Sequence, residues 1–256
     1  MSKKVLIIDI GNTATEFAVF ENGNIRDFLG FFKLPSQLEE TKKVLNSYKN
    51  KGLNVDDGMI FSVVPKIEIL VQKLVGEIFG RYLPIFDWKH YELGKKNPKI
   101  IEPVGADLVA DMKQAAKEYG GPCLIADFGT VTKLLYLDSE NSFQGLSIIP
   151  GIETTLKSFA SNTALLPEID NLNVNDESLG LSTLGSLNHG VYWSNVYYVK
   201  DVLKSLNNDK CKLIITGGNL RFLKNEFKDA IIDPELALKG MFILYEEITK
   251  WITTNL

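Results

Sequence analysis

The sequence predicts an α/β protein of two similar halves, each with a mixed β-sheet. Two observations carry that reading. One design occurs twice, as IIDIGNTATEFAVFENGNI from Ile7 and as IADFGTVTKLLYLDSENSF from Ile125. Superposed at the Asp9-to-Asp127 offset (127 − 9 = 118), Gly11 falls on Gly129, Asn12 on Thr130, Phe17 on Leu135 and Val19 on Leu137. Each copy is an apolar run, an Asp, a small-residue turn, a second apolar run and a polar turn. That pattern reads as strand, tight loop, strand, with a carboxylate at each loop entrance. The second observation is the element order, three strands then a helix in each half, which points to α/β layers. The repeat is too widely spaced for a solenoid. It predicts two domains, 1–116 and 117–256, facing each other across a cleft.

In the first half, strands are expected at about 4–9, 14–20 and 25–32, with Asn22-Gly23 as a hairpin signal. A helix near 36–50 opens on Ser36 with Glu39 three residues later, a capping box. Met59–Val63 reads as a buried strand, Pro65–Phe79 as a helix started by proline, and Leu83–Phe86 as a short strand. Trp88–Val104 mixes Lys, Asn, Pro and Gly and reads as a loop. Gly105–Tyr119 has helical spacing and stops at Gly120-Gly121-Pro122.

In the second half, strands are expected at 123–127, 132–138 and 143–149, then a helix near 152–162 after Pro150-Gly151. Ser186–Leu206 is a long helix. Val191, Tyr192, Asn195, Val196 and Val199 lie along one side of it, as a subunit interface or as the chain's own core. Leu213–Thr216 is a buried strand, Gly218–Phe227 a short helix, Ala230–Ile232 a last strand and Leu236–Trp251 an amphipathic closing helix.

Composition narrows the function classes. The chain has 256 residues, 45% hydrophobic and 23% charged, as in ordinary globular proteins. A net charge of −4 leaves no electrostatic footprint for nucleic acid. The lysine pairs at 3–4, 42–43 and 95–96 read as solvated faces. No apolar run reaches the roughly 18–20 residues of a bilayer span. Asp9 interrupts the first apolar run before it is long enough for a signal peptide. Cys123 and Cys211 read as reduced structural thiols, and with only His90 and His189 besides, zinc is not expected. A cytoplasmic protein without membrane or nucleic-acid partners is therefore expected.

The chemistry sits at the turns. In Asp9-Ile10-Gly11-Asn12-Thr13, glycine lets backbone N–H groups approach phosphate oxygens, and a strand-end carboxylate suits Mg²⁺. One such turn equally suits an ordinary hairpin. Its recurrence as Asp127-Phe128-Gly129-Thr130, with a further hydroxyl at Thr132, favours a pair of phosphate loops. Thr216-Gly217-Gly218-Asn219 follows an apolar strand, as a plain strand-to-helix turn or as a bed for a flat group such as adenine. Gly105-Ala106-Asp107 opens a helix, where an acid is often a dipole-compensating cap. A phosphoryl acceptor, however, needs a carboxylate within reach of its hydroxyl. Asp107 is the candidate for that role, Asp111 one turn later the alternative, and Glu102 reads as a solvated acid.

Together these residues resemble the type III pantothenate kinases, relatives of actin, sugar kinases and the large heat-shock chaperones. The resemblance rests on Asp9-Ile10-Gly11-Asn12-Thr13, Ser62-Val63-Val64-Pro65, Gly105-Ala106-Asp107, Asp127-Phe128-Gly129-Thr130, and Gly145 with Ile148-Ile149-Pro150-Gly151. It continues through Leu166-Pro167, Thr183, Gly190, Thr216-Gly217-Gly218 and Asp233-Pro234-Glu235-Leu236, covering nearly the whole chain. It implies two ribonuclease-H-like domains in an actin-like ATPase fold. The implied enzyme is a cytosolic homodimer that phosphorylates pantothenate with ATP, the first step toward coenzyme A, using Mg²⁺ and a monovalent cation (K⁺ or NH₄⁺). By position, Asp9, Gly11, Asn12, Thr13 and Glu16 would line the ATP phosphates, with Asp9 at Mg²⁺. Gly129, Thr130, Thr132, Gly217 and Gly218 would complete the nucleotide side. Asp107 would be the base, Gly105, Ala106, Leu108 and Thr183 would meet the acceptor, and Asp127 would hold the monovalent cation.

The chain departs from the family pattern mainly on the acceptor side. Leu108 stands in place of an Arg suited to a carboxylate, and Pro98 in place of a Tyr. Val131, Lys133, Leu146 and Asn188 replace Ala, Thr, Gly and Gln. Lys133 is a candidate substitute for the missing Arg. Two alternatives stay open here: a kinase for another small hydroxyl compound, and a non-catalytic nucleotide-binding regulator.

Overall fold

Two sheets of like connectivity organise the chain. The computed structural model describes residues 2–32, 37–87, 105–169, 172–173, 179–206 and 209–255. The Ser36 cap and the 88–104 stretch, with His90, the 95–96 lysines, Pro98 and Glu102, lie outside the described residues. The chain divides into two compact units, Met1–Gln114 with Leu236–Leu256, and Ala115–Glu235.

In the first unit, β1 (Lys4–Ile10), β2 (Ala14–Glu21) and β3 (Asn24–Phe32) form an antiparallel meander. β4 (Asp57–Ser62) joins β1 in parallel, giving the order β3-β2-β1-β4. Side chains alternate across a strand, so β1 feeds two cores. Leu6, Ile8 and Ile10, with Phe17 and Val19, pack against Leu45 and Tyr48 of α1 (Gln37–Asn50) and Val71, Val75 and Ile78 of α2 (Pro65–Phe79). Val5 and Ile7, with Ala18, Phe20, Met59 and Phe61, pack against Val109 and Ala110 of α3 (Ala106–Glu118) and Leu238, Met241 and Leu244 of α7 (Leu236–Asn255). Phe20 and Phe242 stack with centroids 4.3 Å apart, and such pairs add about 0.5–1.5 kcal/mol beyond their buried area. Proline at its first position starts α2, and Gly80 in the left-handed region ends it. The expected strand Leu83–Phe86 is only a single parallel bridge, Ile60 to Ile85.

The second unit repeats the meander with β5 (Cys123–Phe128), β6 (Val131–Leu137) and β7 (Phe143–Pro150). β8 (Lys212–Thr216) runs parallel to β5, and β9 (Ile231–Ile232) parallel to β8, giving β7-β6-β5-β8-β9. Leu124, Ala126 and Phe128 share a core with Ile152 and Leu156 of α4 (Ile152–Asn162) and with α5 (Thr183–Ser205). α6 (Leu220–Leu223) and a 3₁₀ turn (Lys224–Glu226) follow β8. α5 begins one turn before the expected Ser186, because Ser182 caps it by accepting from the Gly185 N–H at 3.1 Å. Val191, Asn195, Val196 and Val199 are buried. The apolar side of α5 thus serves the unit's own core.

Two further sequence expectations differ from the structure. The division falls within α3, and α7 packs with the first unit although it follows the second in sequence, because its apolar stripe covers the open face of β1 and β4. The repeat also shifts by one residue after its turn. Asp9 pairs with Glu16 across β1 and β2, whereas Asp127 pairs with Lys133 across β5 and β6. Phe17 therefore corresponds to Leu134, not Leu135, and Val19 to Tyr136, not Leu137. The second turn is a residue shorter: Gly11 N–H reaches Ala14 O at 2.9 Å, but Gly129 N–H reaches Val131 O at 3.1 Å.

Candidate active site

Both aspartates stand near the ends of central strands, where a tight turn leaves the sheet. Asp9 continues the face of Val5 and Ile7 and is half-buried, with half-buried Glu16 as its cross-strand partner. Gly11 and Thr13 are half-buried and Asn12 is exposed. The Val63 N–H donates to Ile10 O at 3.0 Å and the Val64 N–H to Ser62 Oγ at 2.9 Å, tying the start of α2 to the end of β1.

The second turn is held by three neighbours. Asn219 donates its backbone N–H to Phe128 O at 2.8 Å and its side-chain amide to Gly129 O at 3.0 Å. Thr154 Oγ1 donates to Thr130 O at 2.6 Å, and the Gly151 N–H to the same oxygen at 3.1 Å. Thr130 itself is exposed on this clamped loop. The motif around Asn219 signals no role for its side chain, and nothing in the sequence marks Thr154. A side chain returning to a distant carbonyl leaves no periodic signal.

Asp127 is 8% exposed and Lys133 9%. Lys133 Nζ lies 2.5 Å from Asp127 Oδ2. A Cβ on Gly217 would strike Asp127 Oδ1 and come within 2.6 Å of the Phe128 backbone, and Gly217 has φ +93°. Gly217 is therefore required by the packing of the second turn. Gly218, by contrast, is exposed, and a Cβ there would meet open space.

Thr132 departs from expectation. Its hydroxyl is buried and donates to Asn195 Oδ1 at 2.8 Å, since one residue of strand beyond the turn puts it on the core face. It holds β6 to α5 rather than meeting phosphate. Lys133, committed to Asp127, likewise does not replace the missing Arg.

Asp107 lies in the first turn of α3, half-buried, with a carboxylate oxygen folded back against Gly105, where a Cβ would collide with it. Gly105 and Ala106 are half-buried and Leu108 is buried. Asp111, one turn on, is fully buried beside the core residues Val109 and Ala110. Burial keeps Asp111 from meeting a substrate hydroxyl and leaves Asp107 as the accessible carboxylate at the start of this helix. Thr183 is exposed at the start of α5. Asn188 is buried, accepting from the Asn173 N–H at 3.1 Å and donating to Leu184 O at 3.0 Å.

Comparison with known proteins bears on the fold and the family. Solved structures with the same fold include a Baf family protein from Campylobacter jejuni, 20% identical with a TM-score of 0.63, covering 96% of this chain and 99% of that one. They also include the activator of the 2-hydroxyisocaproyl-CoA dehydratase from Clostridium difficile with bound ADPNP, 13% identical with a TM-score of 0.54, covering 93% and 91%. These show the two-sheet α/β fold of the actin-like ATPases. In sequence, the chain is 30% identical over 258 residues to a type III pantothenate kinase of Agathobacter rectalis, spanning 95% of this chain and 97% of that protein. It is 28% identical over 248 residues to that of Thermosipho melanesiensis, spanning 95% and 98%. The family model described as type III pantothenate kinase matches residues 5–205. The chain belongs to the type III pantothenate kinase family.

Proposed function

We propose that this chain transfers the γ-phosphoryl group of ATP to the hydroxyl of pantothenate, giving 4'-phosphopantothenate and ADP, the first step of coenzyme A biosynthesis. The observation that carries it is the duplicated turn: an Asp near the end of the central strand of each of two sheets with the same connectivity. Family membership supplies the acceptor.

The nucleotide side uses Asp9, Gly11, Asn12, Thr13 and Glu16 from the first turn and its flanking strands, Gly129 and Thr130 from the second turn, and Gly217 and Gly218 from the turn after β8. Gly217 acts by shaping the loop. Asp9 and Glu16, opposite one another and half-buried, offer the hard carboxylate oxygens that suit Mg²⁺. When bound, that ion neutralises charge on the phosphate oxygens. Asp107 accepts the proton of the acceptor hydroxyl as its oxygen bonds to the γ-phosphorus and the bond to the ADP oxygen breaks. Gly105, Ala106, Leu108 and Thr183 flank the acceptor. Phosphoryl transfer asks mainly for position and charge neutralisation, which carboxylates and backbone amides provide without histidine.

Leu108 is buried and offers no cation to the acceptor's carboxylate, which favours a second reading, a kinase for a different small hydroxyl compound. The proposed setting is a cytoplasmic homodimer; among the described residues no helix is long and apolar enough to cross a membrane. A coupled ADP-release assay over pantothenate and a panel of hydroxy acids and sugars tests the proposal. Preference for another alcohol by tenfold or more in kcat/KM would install the second reading.

A further inference from the structure

The family resemblance puts a monovalent cation at Asp127, and the residues around Asp127 do not fit one. Its Oδ2 is 2.5 Å from the Lys133 ammonium, and the two side chains are only 12% and 11% exposed. Its Oδ1 lies against Gly217, whose missing Cβ is what permits the approach. A buried carboxylate needs one compensating positive charge, and Lys133 supplies it. A second cation on the same carboxylate would sit a few ångströms from an ammonium in a weakly screened site, where like charges repel strongly. The first turn makes the contrast. The register puts Glu16 where the second turn has Lys133, so the Asp9 position has two carboxylates across the strands and the Asp127 position a neutral pair. The two copies of one motif have diverged in charge at a single cross-strand position.

We infer that the Lys133 ammonium is a built-in replacement for the monovalent cation at Asp127, and that this chain works without K⁺ or NH₄⁺. The activity part of the test rests on the pantothenate kinase reading; the binding part does not.

The binding part is thallium-205 NMR of the full chain, with Tl⁺ as a K⁺ probe. Wild type should show no saturable site displaced by K⁺, and its melting temperature should be the same in KCl and in tetramethylammonium chloride at equal ionic strength. Lys133→Ala should acquire one K⁺-displaceable Tl⁺ site and melt higher in K⁺. In the coupled assay, wild type should turn over within twofold of the same rate in K⁺, NH₄⁺ and tetramethylammonium, whereas Lys133→Ala should be activated tenfold or more by K⁺ or NH₄⁺. A saturable, K⁺-displaceable Tl⁺ site in wild type would overturn the inference even if Lys133→Ala did not fold, as would tenfold activation of wild type by K⁺. Absence of any pantothenate-dependent turnover would instead count against the functional reading, and the wild-type Tl⁺ result would still decide this one.

Discussion

Gly217 lies against the carboxylate of Asp127, in a conformation (φ +93°) that side chains rarely adopt and at a distance that leaves no room for one. The glycine after β8 therefore sets where the second loop's aspartate can stand. Gly217→Ala should combine backbone strain with a collision, costing about 1–3 kcal/mol in urea unfolding. Gly218→Ala, facing open space, should stay within about 0.5 kcal/mol and weaken ATP binding instead. Equal stability losses for the two would contradict this division of labour.

Tyr119, after α3, is tied to Asp233, after β9, within the second unit. Tyr119 Oη donates to Asp233 Oδ2 at 2.8 Å, and Asp233 is 3% exposed. Burial pushes the Tyr119 phenol well up, and the hydrogen bond to Asp233 adds to it. Tyr119→Phe removes the donor and leaves a buried carboxylate short of one partner, so unfolding free energy should fall by about 1–3 kcal/mol. An unchanged urea midpoint would show the bond to be dispensable.

The trio of Lys3, Asp57 and Tyr245 gives the first unit a weak acid dependence. Burial pushes Asp57 up, but hydrogen bonds from Lys3, Tyr245 and the Gly58 N–H outweigh it and hold the carboxyl below its ordinary range. A carboxyl lowered on folding contributes stability that is present above its unfolded value, about 3.9, and is lost as pH falls through the folded value. Asp57→Asn should therefore lower the melting temperature at pH 7 and reduce its drop below about pH 4. The Asp57 side chain is 36% exposed, so solvent screens the pair and the effect should not exceed about 1 kcal/mol. A variant with the wild-type acid profile would refute the linkage.

Cys123 is buried, and burial pushes its thiol up to about 12. Cys211 is half-buried and its thiol is also raised by burial. Thiolate is the reacting species, so neither should be alkylated quickly by iodoacetamide at pH 8, and Cys123 should react only on unfolding. Rapid labelling of Cys123 in native protein, read by mass spectrometry, would contradict the packing of β5.

Much of this architecture was legible in the sequence, because alternation, Asp-x-Gly turns and proline or glycine punctuation are local signals. The repeat register was not. Leu134 and Leu135 are both buried, so the apolar pattern of β6 fits either alignment, and only a backbone pairing tells Lys133 from its neighbours as the residue facing Asp127. That one-residue shift also moves Thr132 into the core. The partner of α7 was equally hidden, since an amphipathic helix states that it has a buried face but not which sheet covers it. On the candidate site, the carboxylates were readable one by one. Telling Asp107 from Asp111 required burial, which places Asp111 fully inside.

The proposed phosphoryl transfer depends most directly on Asp107. In a coupled ADP-release assay, wild type should form ADP only when pantothenate is supplied with ATP and Mg²⁺. Asp107→Asn should lower kcat by about 10²–10⁴-fold while its melting temperature stays close to wild type, as expected for a lost general base on a half-exposed helix start. Pantothenate-independent ADP formation in wild type, or an Asp107→Asn variant as fast as wild type, would rule out Asp107 as the base of a pantothenate kinase.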